Sequence, residues 1–317
     1  MSLNINDLIE SLRMTPAAPP KRRLEGADLR LVRTLHADPR ASISALAKAV
    51  NESRSLVSVR LRRLLASGAV RVVGVVNPGF MGQPLIAQVA ISTRGSIADV
   101  ARLALNQDEI VFASAILGEH DFLVEARVAT REDLYGLVAR FRREPSVTDL
   151  STVVDSRIIH GSFAHDTFEP IEIDDIDRAL IRLLQDDGRA TYQALATGVG
   201  LSPSAVRSRL QRLLDSRLLK IGVIEARGLQ GAKLSMGVGL TLGADDGAVS
   251  RFLRDADFVE FATETLGTYD AVATIAADAP GQLLEHLEVL RRLPGVNRTT
   301  SWIHLRTVKE DYRRRMM

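Results

Sequence analysis

The 317-residue chain predicts an α+β fold in which one two-part module occurs twice. Internal repetition is the first observation. Shifted by 149 positions, residues 24–168 fall on 173–317 without a gap, so that Asp28 meets Asp177 and Arg40-Ala41 meets Arg189-Ala190. Ala45-Leu46-Ala47 meets Ala194-Leu195-Ala196, Arg60-Leu61 meets Arg209-Leu210, and Arg63-Leu64-Leu65 meets Arg212-Leu213-Leu214. Further on, Leu117-Gly118 with Asp121 meets Leu266-Gly267 with Asp270, and Pro145 with Val147 meets Pro294 with Val296. A repeat this long excludes a solenoid. The second observation is a change inside each copy from helical spacing to strand-rich alternation. Length alone predicts roughly two domains. The change midway makes four small ones, at 24–83, 84–168, 169–231 and 232–317, after a disordered arm over 1–23 that has nothing to bury.

Each copy opens with three short helices. In the first, Leu29, Val32 and Leu35 mark one helix, and Ile43, Leu46, Ala47 and Val50 a second. The third starts at a cap on Ser53 or Ser55 and carries Val57, Leu61, Leu64 and Leu65 at i, i+4, i+7 and i+8. The second copy repeats this with Ile176, Leu180 and Leu183, then Tyr192, Leu195, Ala196 and Val199, then Val206, Leu210, Leu213 and Leu214. There Ser202-Pro203 reads as an N-cap followed by a first-turn proline. The link Val199-Gly200-Leu201-Ser202 is short enough for a helix-turn-helix. A β segment follows each third helix, over 69–76 and 218–224, in the position of a wing.

The remainder of each copy reads strand, helix, strand, strand, helix, strand. In the first copy these lie at 85–92, 97–105, 110–117, 122–128, 134–141 and 147–158. In the second they lie at 234–242, 249–253, 258–266, 271–275, 283–293 and 296–305. This order is the split βαβ, ferredoxin-like pattern. Its sheet carries helices on one face, and the other face needs a cover that a second such sheet supplies. Sheet edges left over give whole chains a reason to pair as homodimers or larger homo-oligomers.

Charge is segregated along the chain. The net charge is only +2, yet residues 21–71 carry +8 and residues 84–172 carry −6; in the second copy 173–223 carry +2 and 224–304 carry −4. A basic half joined to an acidic half suits a polyanion-binding unit linked to one that faces something else. The absence of cysteine excludes disulfides and thiolate metal sites. No apolar run reaches the ~20 residues of a membrane span, and no signal-peptide layout opens the chain. A cytoplasmic protein without a membrane partner is expected.

The third helix of each unit carries the functional expectation. With Val206, Leu210 and Leu213 turned inward, Ser204, Arg207, Ser208 and Gln211 lie on the free side, flanked by Arg209 and Arg212 and preceded by Ser202. In the first copy the free residues are Ser55, Ser58, Val59 and Arg62, flanked by Arg60 and Arg63. Short polar groups and arginines on such a helix can hydrogen-bond base edges in the major groove of double-stranded DNA. Arginines at its border neutralise phosphates, which sets affinity rather than sequence preference.

The runs Asp174-Asp175-Ile176-Asp177-Arg178, Asp187-Gly188-Arg189-Ala190-Thr191, Leu195-Ala196 and Val199 through Val206, ending at Arg209-Leu210, closely resemble the Lrp/AsnC (leucine-responsive, feast/famine) transcriptional regulators. The resemblance covers nearly the whole chain twice and implies a helix-turn-helix followed by a ferredoxin-like effector domain. The first copy departs in its turn, reading Val50-Asn51-Glu52-Ser53-Arg54-Ser55 where Gly-Leu-Ser-Pro-Ser is expected. Leu117-Gly118-Glu119-His120-Asp121 and Leu266-Gly267-Thr268-Tyr269-Asp270 match the family's Gly-x-aromatic-Asp turn. In that family the turn lies at a subunit interface and helps hold a small effector, usually an amino acid. Glycine allows close approach to the backbone, and a carboxylate pairs with an α-ammonium; both residues are also ordinary turn formers. Thr152 and Ser301 occupy the place where the family often carries a hydroxyl on the last strand.

No catalytic, metal or cofactor site is expected. The six histidines, His36, His120, His160, His165, His286 and His304, are scattered, and Gly237-Val238-Gly239 falls inside a strand rather than before a helix. The alternative is an enzyme: tetrapyrrole (sirohaem) decarboxylases resemble the same two-part architecture and also occur as fused chains. They would need histidines and arginines converging on a pocket, whereas Asn77 through Gly82 lacks the Arg-His cluster that this resemblance implies.

Overall fold

The computed structural model describes residues 26–161, 168–226, 233–244 and 247–313. The N-terminal arm, His165 and the expected boundary near residue 231 lie outside them. The chain begins with helices α1 (Ala27–Ala37), α2 (Ile43–Val50) and α3 (Arg54–Ala66) and strand β1 (Val70–Val76). Then come β2 (Leu85–Thr93), α4 (Ala98–Leu105), β3 (Ile110–Leu117), β4 (Phe122–Val128), α5 (Arg131–Arg142) and β5 (Val147–Gly161). The order recurs as α6 (Asp175–Asp186), α7 (Tyr192–Val199), α8 (Pro203–Asp215) and β6 (Leu219–Glu225). It closes with β7 (Leu234–Leu242), α9 (Gly247–Asp255), β8 (Val259–Leu266), β9 (Ala271–Ala277), α10 (Pro280–Arg291) and β10 (Val296–Glu310).

The helices start where the local chemistry directs. Ser42, Ser53, Thr191 and Ser202 each accept a backbone N–H of the first turn, and Thr130 with Asp133 and Asp174 with Asp177 form capping boxes. The irregular turn of the first copy reaches the same geometry as the second. Asn51 adopts the left-handed conformation (φ 56°, ψ 49°) that Gly200 adopts (φ 70°, ψ 30°), and asparagine tolerates this region better than other side chains.

Neither β1 nor β6 forms a wing within its own copy. They pair with each other, antiparallel, with Val70 opposite Glu225 and Val76 opposite Leu219. Leu35, Leu64, Val72, Leu184, Leu213 and Val223 accordingly belong to one apolar core shared by all six helices of the two helical units.

The other eight strands close into a barrel in the order β10-β3-β4-β2-β5-β8-β9-β7. Each βαββαβ sheet thus covers the free face of the other, and the two are also stitched at both edges. β5 pairs with β8 (Val154 opposite Leu266) and β10 with β3 (Ile303 opposite Leu117). These are the same pair of positions, exchanged between copies. Closure removes the free sheet edges that had been expected to join whole chains. Outside the barrel, α4 and α5 cover Val100, Ile110, Phe122, Leu137 and Phe141, while α9 and α10 cover Val238, Leu253, Ile275 and Leu287. Inside lie Ile116, Leu123, Val153, Val272 and Trp302.

Candidate nucleic-acid interface and effector turns

Helices α3 and α8 bury Val57, Leu61 and Leu64 and their counterparts Val206, Leu210 and Leu213. The opposite side of α8 leaves Ser202, Ser204, Arg207, Ser208, Gln211 and Arg212 exposed; on α3, Ser55, Arg62 and Arg63 are exposed and Ser58 is half-buried. Neither face is covered by another described element of the chain. The two faces differ in chemistry. Where α8 offers Arg207 and Ser208, α3 offers Ser58 and Val59, the latter 60% exposed beside an exposed Leu56.

Four of the expected phosphate contacts are committed within the fold. Arg60 donates to Asp28 (3.0 Å) and Glu52 (3.2 Å), and Arg63 also pairs with Asp28. Arg209 donates to Asp174 (2.8 Å) and to the fully buried Asp177 (2.9 Å), which also binds Arg212. These arginines lock the third helix of each unit onto its first. The hydrogen bond that Arg60 donates to Asp28 raises its pKa, and those that Arg209 donates to Asp177 and Asp174 raise that of Arg209, so both guanidinium charges are held firmly. Arg62 and Arg207 make no ion pair with a described residue and point their charge outward, whereas Gln211 is tied to Asp215 (2.7 Å).

Both turns after the second strand pack over the last strand of the opposite copy. A Cβ on Gly118 would lie 2.9 Å from Cβ of Trp302, and one on Gly267 would lie 2.8 Å from the carbonyl of Thr152. Gly267 also has φ +140°, a conformation that side chains rarely adopt. The paired carboxylates are occupied by backbone: Asp121 accepts from Thr93 N–H (2.7 Å) and Asp270 from Leu242 N–H (2.7 Å). Each shapes its turn through Oδ2 and is exposed at the surface.

Glu119 and His120 of one turn and Tyr269 of the other meet on a small enclosed space of about 30 Å³, completed by Ser151, Thr300 and Trp302. Ser92 holds Nδ1 of His120 at 2.9 Å, and Thr268 contacts Ser151 (3.0 Å). Tyr269 stacks near Trp302, with centroids 6.0 Å apart, and burial raises its phenol pKa. Gly118, Asp121, Thr152, Gly267, Thr268, Asp270 and Ser301 do not line this space. The hydroxyls that do, on Ser151 and Thr300, sit one residue before the expected Thr152 and Ser301. Successive strand residues face opposite sides of the sheet, so a one-residue slip selects the wrong face. Burial of Val153 and Trp302 sets the inward parity of both strands, a signal already present in the sequence. Gly237 and Gly239 were missed as well. Their missing side chains admit the Trp302 indole and the Tyr269 ring, which a Cβ would meet at 2.1 and 2.6 Å. Among the described residues no cluster of histidines and carboxylates could hold a metal ion, and no helix is long and apolar enough to cross a membrane.

Residues 173–214 match the AsnC-type helix-turn-helix domain, and residues 24–71 match a winged helix-turn-helix DNA-binding domain. A stretch of 134 residues is 35% identical to the HTH-type transcriptional regulator LrpA of Mycobacterium tuberculosis, covering 89% of that protein and 41% of this chain. The chain belongs to the Lrp/AsnC family of DNA-binding transcriptional regulators. The HTH-type transcriptional regulator FL11 of Pyrococcus horikoshii is 29% identical over 143 residues, covering 94% of FL11 and 44% of this chain. These two relatives are therefore about half as long as this chain. Over the whole length the fold is also shared with the siroheme decarboxylase NirDL, solved in complex with an iron-uroporphyrin III analogue: TM-score 0.58, 13% identity, 91% of this chain and 95% of that one.

Proposed function

We propose that this regulator is a single-chain equivalent of a two-subunit one, reading an operator with two unlike recognition helices and responding to a small effector. The supporting observation is the exchanged register: β1 with β6, β5 with β8 and β10 with β3 relate the copies as two subunits around a local two-fold axis. In this reading Ser55, Ser58, Val59 and Arg62 on α3, and Ser202, Ser204, Arg207, Ser208 and Gln211 on α8, face the grooves. Arg60, Arg63, Arg209 and Arg212 hold those helices in place. The operator is less symmetric than one read by identical helices, because the two faces differ.

The effector, an amino acid or related metabolite, binds at the mouth where Glu119, His120 and Tyr269 meet, since the space behind them, about 30 Å³, admits only a few of its atoms. Glu119 supplies a carboxylate for an ammonium group, and Ser151 and Thr300 supply hydroxyls for its carboxylate. Because the site is assembled from both copies, occupancy alters how they sit together, and DNA and effector affinities are reciprocally linked. Whole chains associate further through the turns, where Leu117 and Leu266 are 61% and 68% exposed.

Sequencing of genomic fragments retained by the purified chain, with and without a panel of amino acids, tests the reading. Recovery of one recurrent site whose occupancy shifts with one amino acid supports it; retention without sequence preference under every condition sinks it.

The likeness to NirDL keeps a decarboxylase as the second reading. Two internal spaces of the barrel, about 70 and 30 Å³, are far smaller than a tetrapyrrole, so a macrocycle would have to occupy an open cleft such as the one of about 720 Å³ beside Asn106, Asp133 and Lys309. A titration with an iron tetrapyrrole that produced a saturable absorbance change would favour the enzyme.

A further inference from the structure

The barrel contains a polar chamber that adjoins the turn pocket, sharing Gln88, Leu123 and Trp302 with it, and that the DNA-facing helices do not use. It measures about 70 Å³ and is lined by Gln88, Glu125, Arg127, Asp155, Glu260 and Trp302, among others. At roughly 10–15 Å³ per water, this is room for about five waters or a ligand of a few heavy atoms. Gln88 and Arg127 are each only 7% exposed. Arg127 is paired with Glu125 through Nε (3.3 Å) and Nη2 (3.2 Å). Gln88 reaches Oδ1 of Asp155 at 3.5 Å, while Oδ2 of Asp155 is shielded from solvent and has no hydrogen-bond partner.

A carboxyl oxygen left without a partner is costly in such a place, and that of Asp155 requires a reason. Of the three carboxyl groups facing the chamber, Glu125 is paired with Arg127 and Glu260 with Lys233 at 3.7 Å, whereas Asp155 makes no ion pair among the described residues. Burial raises the Asp155 pKa well above the ordinary carboxylate range, and neighbouring Glu125 raises it further. An empty chamber therefore keeps its surplus negative charge down by holding a proton on Asp155.

We propose that this chamber is a second ligand site, for a small organic cation of the primary-amine class whose ammonium group lies between Asp155 and Glu125. On binding, the Asp155 carboxyl gives its proton to solvent and its carboxylate pairs with the incoming ammonium, so that one cation enters as one proton leaves. Arg127 places the site in contact with the DNA-binding pair. Its guanidinium lies 5.0 Å from the ring of Tyr312, which packs on Val73, Val75 and Ile224 of the β1–β6 ribbon. A second route runs from Glu260 through Lys233 to Glu225 (3.1 Å) and on to His36 of α1 (2.8 Å).

Trp302 is the chain's single tryptophan and lines both the chamber and the turn pocket, so its fluorescence reports occupancy of either space and variants assign the response to one. The full chain is titrated with ethanolamine, with propionate and tetramethylammonium at equal ionic strength as controls. A saturable change is expected with ethanolamine alone, weakened roughly tenfold or more in Asp155→Asn. Affinity should rise as pH climbs above the ordinary carboxylate range, because the departing proton is then released more readily. The other ionisable groups lining the chamber, Glu125, Arg127, Glu260, His304 and Tyr312, are kept intact in that variant. Glu125→Gln gives the same comparison should Asp155→Asn lose its native circular dichroism. His120→Ala, altered only in the turn pocket, should bind ethanolamine as the parent does. The proposal is overturned by an absent response, by equal affinity in the folded carboxamide variant, or by preference for propionate. Loss in His120→Ala alone would overturn it too, placing the amine in the turn pocket.

Discussion

Arg40 and Arg189 clasp each other's loops across the local two-fold axis. Arg40 donates to the carbonyls of Gly188 (2.5 Å) and Ala190 (2.8 Å), and Arg189 donates to those of Pro39 (2.5 Å) and Ala41 (2.7 Å). Four charge-assisted hydrogen bonds thus join the two helical units beside the β1–β6 ribbon. Burial lowers the pKa of Arg189, and the nearby charge of Arg40 lowers it further, so the clasp works against mutual repulsion.

Removal of either arginine therefore leaves two carbonyls without donors but relieves that repulsion. Arg189→Ala should cost about 2–3 kcal/mol in urea unfolding. The double replacement with Arg40→Ala should cost less than the two single losses combined. Additive losses would show that the two side chains act independently.

The outward and inward arginines should separate cleanly. Replacing Arg62 and Arg207 together by alanine should weaken DNA binding and lower the slope of log affinity against log salt by roughly 2, about 0.9 per phosphate contact. Thermal stability should be unchanged. Arg209→Ala instead removes a partner of buried Asp177 and should cost about 2 kcal/mol of stability. A large salt-slope change in a stable Arg209→Ala would contradict this division.

That division was not legible in the sequence. Helical spacing marks Arg60, Arg63, Arg209 and Arg212 as flanking the free face, but their aspartate partners lie 32 and 35 residues away, on α1 and at the start of α6. Only tertiary packing brings these together. The helices themselves were legible, because caps and apolar stripes are local signals. The last strands were only partly so: β5 and β10 run on to Gly161 and Glu310, beyond the expected ends at 158 and 305. Their extra residues are ordered by pairing with β8 and β3 of the other copy, and no local pattern encodes that. Gly237 and Gly239 read as weak strand residues until Trp302 and Tyr269 are seen lying over them.

Gly237→Ala tests that packing. A Cβ there would lie 2.1 Å from the indole, so Trp302 must move, at a cost of about 1–3 kcal/mol. The emission of this sole tryptophan should shift to the red. Unchanged emission would mean that the indole does not occupy the space above Gly237.

Acid should loosen the link between helix α1 and the barrel. Burial by itself would raise the pKa of Glu225, but the hydrogen bond from His36 and the charge of Lys233 overcome it and leave it below the ordinary 4.5. A depressed carboxylate contributes stability that is complete above its unfolded pKa and is lost as pH falls through the folded one. Urea midpoints should therefore decline below about pH 4.5, and His36→Ala should flatten that decline. An identical acid limb in the variant would remove His36 from the link.

Footprinting of the operator with one recognition helix disabled at a time tests the central claim most directly. Ser55→Ala with Arg62→Ala alters α3, and Arg207→Ala with Ser208→Ala alters α8. Each pair should erase protection over one half-site and leave the other protected, with centres one helical turn or a multiple apart, about 10 base pairs per turn. Loss of the same protection by both pairs, or an unaltered footprint with either, would contradict the presence of two unlike DNA-reading helices in this one chain.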